Sequence, residues 1–140
     1  MKFDFLLSQE LCDKWGRKNG ASPEELACLK ECCADELPAV YLDFLAFSNG
    51  ADTGIPVQPY SCILYQVKDV IELATSYDFV ENLPGFFIIG SDGGGEYIIL
   101  ELKTSRVCCV NLPFTEEEIL DIASSFIDLL KMFGQRSEEF

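Results

Sequence analysis

The run Leu37-Pro38-Ala39-Val40-Tyr41-Leu42-Asp43-Phe44-Leu45-Ala46-Phe47-Ser48-Asn49-Gly50 narrows the possible folds most, because it specifies one helix with both ends marked. Pro38 brings a helical φ to the first turn, where its missing N–H has no intrahelical acceptor to lose. Tyr41, Phe44, Leu45 and Ser48 recur at the i, i+3, i+4, i+7 spacing of one face, and Val40 and Phe47 widen that stripe. Asn49 and Gly50 tolerate a left-handed backbone and supply the stop. A helix this apolar must be buried on most of its sides, so other elements have to surround it.

Those elements can be read in turn. Phe3, Leu7, Leu11 and Trp15 lie four apart and predict a first helix, left through the basic, glycine-bounded stretch Gly16 to Gly20. Ser22-Pro23-Glu24-Glu25 combines an N-cap, a first-turn proline and a capping-box glutamate ahead of Leu26, Leu29 and Cys33, which predicts a second helix. After the third helix, Ala51 to Pro59 contains Gly54, Pro56 and Pro59 and reads as a surface loop. Ser61 to Gln66 reads as a strand and Val67 to Ser76 as a short helix with Val70, Ile71 and Ala74 inward.

The turn Leu83-Pro84-Gly85 leads to Phe86 to Ile89, an apolar run suited to a central strand. Tyr97 to Leu102 and Arg106 to Asn111 follow across short turns, too short for parallel crossovers, and so predict an antiparallel meander. Thr115-Glu116-Glu117-Glu118 repeats the capping box, and Ile119, Ile122, Ala123, Phe126, Ile127, Leu130 and Phe133 predict a C-terminal helix of about four turns ending at Gly134. The fold class expected is α+β: a single layer of antiparallel sheet packed against N-terminal helices and a long C-terminal helix, in one domain over residues 1–140.

Two segments carry a resemblance. The order Leu-Pro-x-x-Tyr-x-x-Phe-Leu-x-x-x-Asn-Gly over residues 37–50 resembles the signature helix of the SUKH superfamily, the Smi/Knr-type family of bacterial toxin-immunity proteins and fungal glucan-synthesis regulators. Phe86 to Leu100, with Gly90, the Ser91-Asp92-Gly93-Gly94-Gly95-Glu96 turn and a second strand, is similar to that family's strand, glycine-rich turn and strand. The likeness spans roughly residues 22 to 134. It implies structural roles for Pro38, Tyr41, Phe44, Asn49, Gly50, Gly90 and Gly95, an α+β fold, and a function in binding another protein.

Composition limits the ligands. With 24 acidic and 10 basic residues the formal charge is −14, a field that repels phosphates and anionic headgroups and steers cationic partners inward. Nucleic acid and membrane surfaces are therefore excluded as direct ligands, although acidity also serves plain solubility. The apolar start Phe5-Leu6-Leu7 is too short for an export signal, and no run reaches membrane-spanning length, which predicts a cytoplasmic protein. Seven cysteines, with adjacent pairs at Cys32-Cys33 and Cys108-Cys109, read as free thiols packed as small hydrophobes.

The chain has no histidine, which removes the commonest general base, the usual partner of Ser and Cys nucleophiles and the commonest metal ligand. Only Cys12 near Lys14 and Cys108 near Arg106 have a local cation that could activate a thiol, and both fit a core role better. Cys28, Cys32 and Cys33 form no C-x-x-C knuckle, so no metal is assigned. The Gly93-Gly94-Gly95 turn is followed by a strand, and Asp92 and Glu96 would repel phosphate, which favours a hairpin over an anion loop. No catalytic residue and no cofactor are assigned.

Two acidic surfaces remain as candidate partner-binding sites: Asp52 and Tyr60 after the signature helix, and Asp92 and Glu96 at the hairpin tip. Resemblance and charge together point to a non-catalytic immunity protein neutralising a basic toxin domain. A regulatory scaffold of the glucan-synthesis type and a Cys- or carboxylate-dependent enzyme are the alternatives. The sequence does not set the oligomeric state.

Overall fold

The computed structural model describes residues 3–7, 15–33, 37–74, 85–111 and 119–134. A short 3-10 turn, Asp4–Leu7, precedes helices α1 (Pro23–Cys33) and α2 (Ala39–Phe47), strands β1 (Ala51–Gly54) and β2 (Ser61–Leu64), and helix α3 (Val67–Ala74). Strands β3 (Phe86–Ser91), β4 (Glu96–Glu101), β5 (Val107–Asn111) and β6 (Leu120–Ala123) and helix α4 (Phe126–Leu130) complete the order. The fold is α+β. All six strands form one curled antiparallel sheet in sequence order, each paired with the next.

The signature helix is the hub of the core. Tyr41, Phe44 and Leu45 are buried on it. Phe44 meets Phe3, Trp15, Phe126 and Phe133 at ring-centroid distances of 5.7 to 6.1 Å, mostly edge-on. Such pairs each contribute about 0.5–1.5 kcal/mol beyond the area they bury. The inner face of the sheet closes this core with Phe87, Ile89, Ile98, Leu100, Val107 and Cys109. The other face carries a smaller cluster of Ile88, Ile99, Cys108 and Val110. Strands buried on both faces read as unbroken apolar runs, which is how β3 and β5 looked in the sequence.

Local chemistry sets the helix starts. Ser22 Oγ accepts from Glu25 N–H at 3.1 Å while Glu25 Oε1 accepts from Ser22 N–H at 3.0 Å, the reciprocal pair expected of a capping box. That pairing holds the Glu25 carboxyl below its ordinary pKa. Pro38 stands at the N-cap of α2 rather than inside its first turn, with φ −61° and ψ 139°.

Three expected elements differ. Among the described residues of the N-terminal segment, Asp4–Leu7 forms a 3-10 turn, and Phe3 and Leu6 are buried while Leu7 is 36% exposed. In a 3-10 turn residues three apart lie in line, so the inward pair is spaced by three, not four. Residues 8–14 lie outside the described residues.

The segment read as a loop begins with a strand: Ala51 and Thr53 point inward, Asp52 outward, and β1 pairs with β2 from Ala51↔Leu64 to Gly54↔Ser61. Pairing with a neighbour overrides the low strand propensity of Ala, Asp and Gly. Gly54 ends the strand, and Pro56 and Pro59 punctuate the hairpin beyond.

The long C-terminal helix is also replaced, by β6 and the short α4. Leu120–Ala123 pairs with β5, and Ser125 then accepts from Asp128 N–H at 3.2 Å to start α4 afresh. The capping box at Thr115 to Glu118 lies outside the described residues.

The two outer strands are treated differently. Along β1, Asp52 N–H donates to the Trp15 carbonyl at 3.3 Å, and Gly134 N–H reaches the Gly54 carbonyl at 3.2 Å and Thr53 Oγ1 at 2.9 Å. Gly16, at φ +56°, lies so close that a Cβ there would sit 2.8 Å from the Asp52 carbonyl oxygen. Along β6, among the described residues, no backbone hydrogen bond is made beyond the pairing with β5.

Candidate protein-binding surface

The strand register decides which acidic residues come together. Asp52, Ile63, Ser91, Tyr97 and Val110 form one row across β1 to β5. Directly opposed residues of antiparallel strands share a face. Ser91 ends β3, so Asp52 stands one row from the β3–β4 hairpin tip, and the β1–β2 hairpin bearing Tyr60 projects from the same end of the sheet. Asp52, Tyr60, Asp92 and Glu96 are thus placed at one end, with Asp52 on a strand and not, as expected, in a loop.

The local roles of the four differ. Asp92 Oδ1 accepts from Gly94 N–H at 2.7 Å and from Glu96 N–H at 3.1 Å, so this carboxylate folds the turn itself. Gly93 and Gly95 hold φ of +80° and +108° beside it. Glu96 opens β4, and its Oε1 accepts from Asn111 Nδ2 at 3.4 Å. Tyr60 is half-buried at φ +67°, a left-handed conformation rare for a bulky residue, after the cis Gln58–Pro59 peptide. Asp52 is exposed. Among the described residues none of Asp52, Asp92 and Glu96 is in an ion pair; the recorded pairs join Arg106 to Glu101 at 3.3 Å and to Asp121 at 2.9 Å, toward the other end.

Of the signature residues, Tyr41 and Phe44 pack in the core, and Asn49, Gly50 and Gly90 act on backbone. Asn49 Oδ1 accepts from Val67 N–H at 2.8 Å and so caps α3, while its Nδ2 reaches Glu25 Oε2 at 3.5 Å and its N–H donates to the Asn19 carbonyl. One side chain ties the end of α2 to the starts of α1 and α3. Only Gly50, at φ +107°, takes the left-handed turn, and a Cβ there would lie 2.7 Å from the Leu64 carbonyl oxygen. Gly90 is needed for close approach: a Cβ would fall 2.1 Å from the Ile63 carbonyl oxygen, where β2 crosses β3. Sequence reasoning found these positions but not the Asn49 linkage, because Glu25 and Val67 are 24 and 18 residues away.

The thiols face burial more than chemistry. Cys62, Cys108 and Cys109 are buried and free, and desolvation pushes each up to about 12. Nearby carboxylates add to the rise, Asp52 at Cys62 and Glu96 at Cys109; at Cys108 the Arg106 cation opposes it without overcoming burial. Cys108 is therefore not an activated nucleophile. Cys28, by contrast with the expected burial, is exposed, and Cys12 lies outside the described residues. Among the described residues no group of three or more His, Cys, Asp or Glu could hold a metal, and no helix is long and apolar enough to cross a membrane.

A curled antiparallel meander wrapped on an aromatic helix defines an α+β protein, and among the described residues the carboxylates at one end of its sheet are in no ion pair. Its sequence matches the SMI1 / KNR4 family (SUKH-1) over residues 20–132, and the chain belongs to that family. Membership supports, at the level of the family, a non-catalytic immunity or regulatory module that acts through protein contacts. No curated protein matches the chain.

Proposed function

We propose that this protein is a cytoplasmic immunity protein that binds a basic toxin domain and blocks its active site. The observation that carries the reading is the placement of Asp52, Asp92 and Glu96 toward one end of the sheet, Asp52 and Glu96 on opposite faces of it, with no cation paired to them among the described residues. Carboxylates left uncomplemented in a chain of charge −14 attract a basic surface, raise the association rate and weaken with salt. Tyr60, held at the same end, supplies an aromatic anchor beside them. The protein is a single domain that needs neither cofactor nor metal for this role.

The test is co-expression with the product of an adjoining gene that is toxic when expressed alone. Rescue of growth, with a complex that loosens as salt rises and weakens at least tenfold in a Asp52→Lys/Glu96→Lys double variant, is the expected result. Asp92→Asn is the companion variant, since it removes charge while keeping the Oδ1 acceptor that folds the turn. Rescue that ignores both variants removes this surface from the interface, and no rescue by the native chain favours the regulatory role.

A further inference from the structure

We infer that the outer edge of β6 is a strand-addition site for an extended, basic segment of a partner protein. The inference rests on the protein-binding reading but names a different surface from the acidic end. Unpaired strand edges present a row of main-chain donors and acceptors, and proteins normally cover them. This chain does so at β1, where residues 15, 16 and 134 close the edge, whereas at β6 none of the described residues makes a backbone hydrogen bond to the outer edge. Leu120, the first residue of β6, is 43% exposed, more than any other large apolar side chain among the described residues. Asp121 beside it is two-thirds exposed.

The charge pattern selects the occupant. Beside the strand, Phe86, Glu101, Arg106, Ile119 and Asp121 line an open depression of about 290 Å³. Two carboxylates there share one guanidinium, Glu101 at 3.3 Å and Asp121 at 2.9 Å, so a net negative charge remains for an incoming Lys or Arg. A second copy of this chain would bring another −14 charges to the same edge. A segment alternating apolar and basic side chains fits instead: main-chain hydrogen bonds to β6, an apolar residue over Leu120, and a cation between Asp121 and Glu101.

The probe is a capped nine-residue peptide of alternating lysine and valine, titrated into isotope-labelled full-length protein and followed by amide shifts and hydrogen exchange. The expected result is shifts and slowed exchange at residues 119–123, with affinity lowered at least tenfold by N-methylation of every second peptide bond and by Leu120→Lys. Shifts confined to the Asp52, Tyr60 and Asp92 end overturn the inference, as does equal binding of the N-methylated peptide, which would show charge attraction without a ladder. No binding overturns it as well. Because toxin rescue is scored separately, loss of the peptide site with rescue intact defeats the edge alone, and an edge-bound peptide without rescue defeats the immunity reading alone.

Discussion

β1 and β6 are both four-residue outer strands of the same sheet, yet among the described residues one is sealed and the other is bare. At β1 the chain commits Trp15, Gly16 and Gly134, drawn from opposite ends of the sequence, to satisfying and covering the edge. At β6 it leaves Leu120 and Asp121 in solvent. The difference teaches that, among the described residues, edge protection is local and selective: the backbone cover is concentrated on one edge.

Breaking the sealed edge should have the largest effect. Trp15 is fully buried, stacks at 14° on Phe47 and donates from Nε1 to the Leu6 carbonyl at 2.9 Å. Trp15→Ala should cost about 3–5 kcal/mol in urea unfolding; a loss under about 1 kcal/mol would mean the seal is not part of the core. Gly16→Val forces a β-branched residue into φ +56° against the Asp52 carbonyl and should cost about 1–3 kcal/mol.

Thr53→Val removes the hydroxyl that accepts from Gly134 N–H and should cost about 1 kcal/mol, since the Gly54 carbonyl still receives that donor. Leu120→Lys, on the bare edge, should change the unfolding midpoint by no more than about 0.5 kcal/mol equivalent. A larger loss there would erase the contrast. Hydrogen exchange sharpens it without mutation: the Asp52 amide should exchange far more slowly than β6 amides not paired to β5.

Much of the fold was legible because its signals are local. The Ser22–Glu25 box needs only four consecutive residues, and the β3–β5 meander needs only apolar runs and short turns. β1 and β6 were not legible, since neither strand has a pattern that survives without its neighbour. In 119–133 the residues Ile122, Phe126, Leu130 and Phe133 keep helical spacing, yet a strand, a short helix and the turn after it bury all four as well. Ser124-Ser125 was the missed sign of a restart. At the candidate site, sequence showed which residues were acidic; it could not show that Asp92 spends its carboxylate on Gly94 and Glu96, or that strand register puts Asp52 at the same end of the sheet.

The seal on β1 has a consequence for the order of folding. Gly134 and Thr53 are 81 residues apart, and closing so long a loop is entropically costly and slow compared with pairing successive hairpins. During synthesis β2 to β5 can pair as they emerge, whereas the Gly134 part of the cover on β1 waits for nearly the whole described chain. Until then the Gly54 end of β1 stays uncovered, while its Asp52 end can already be closed by Trp15 and Gly16.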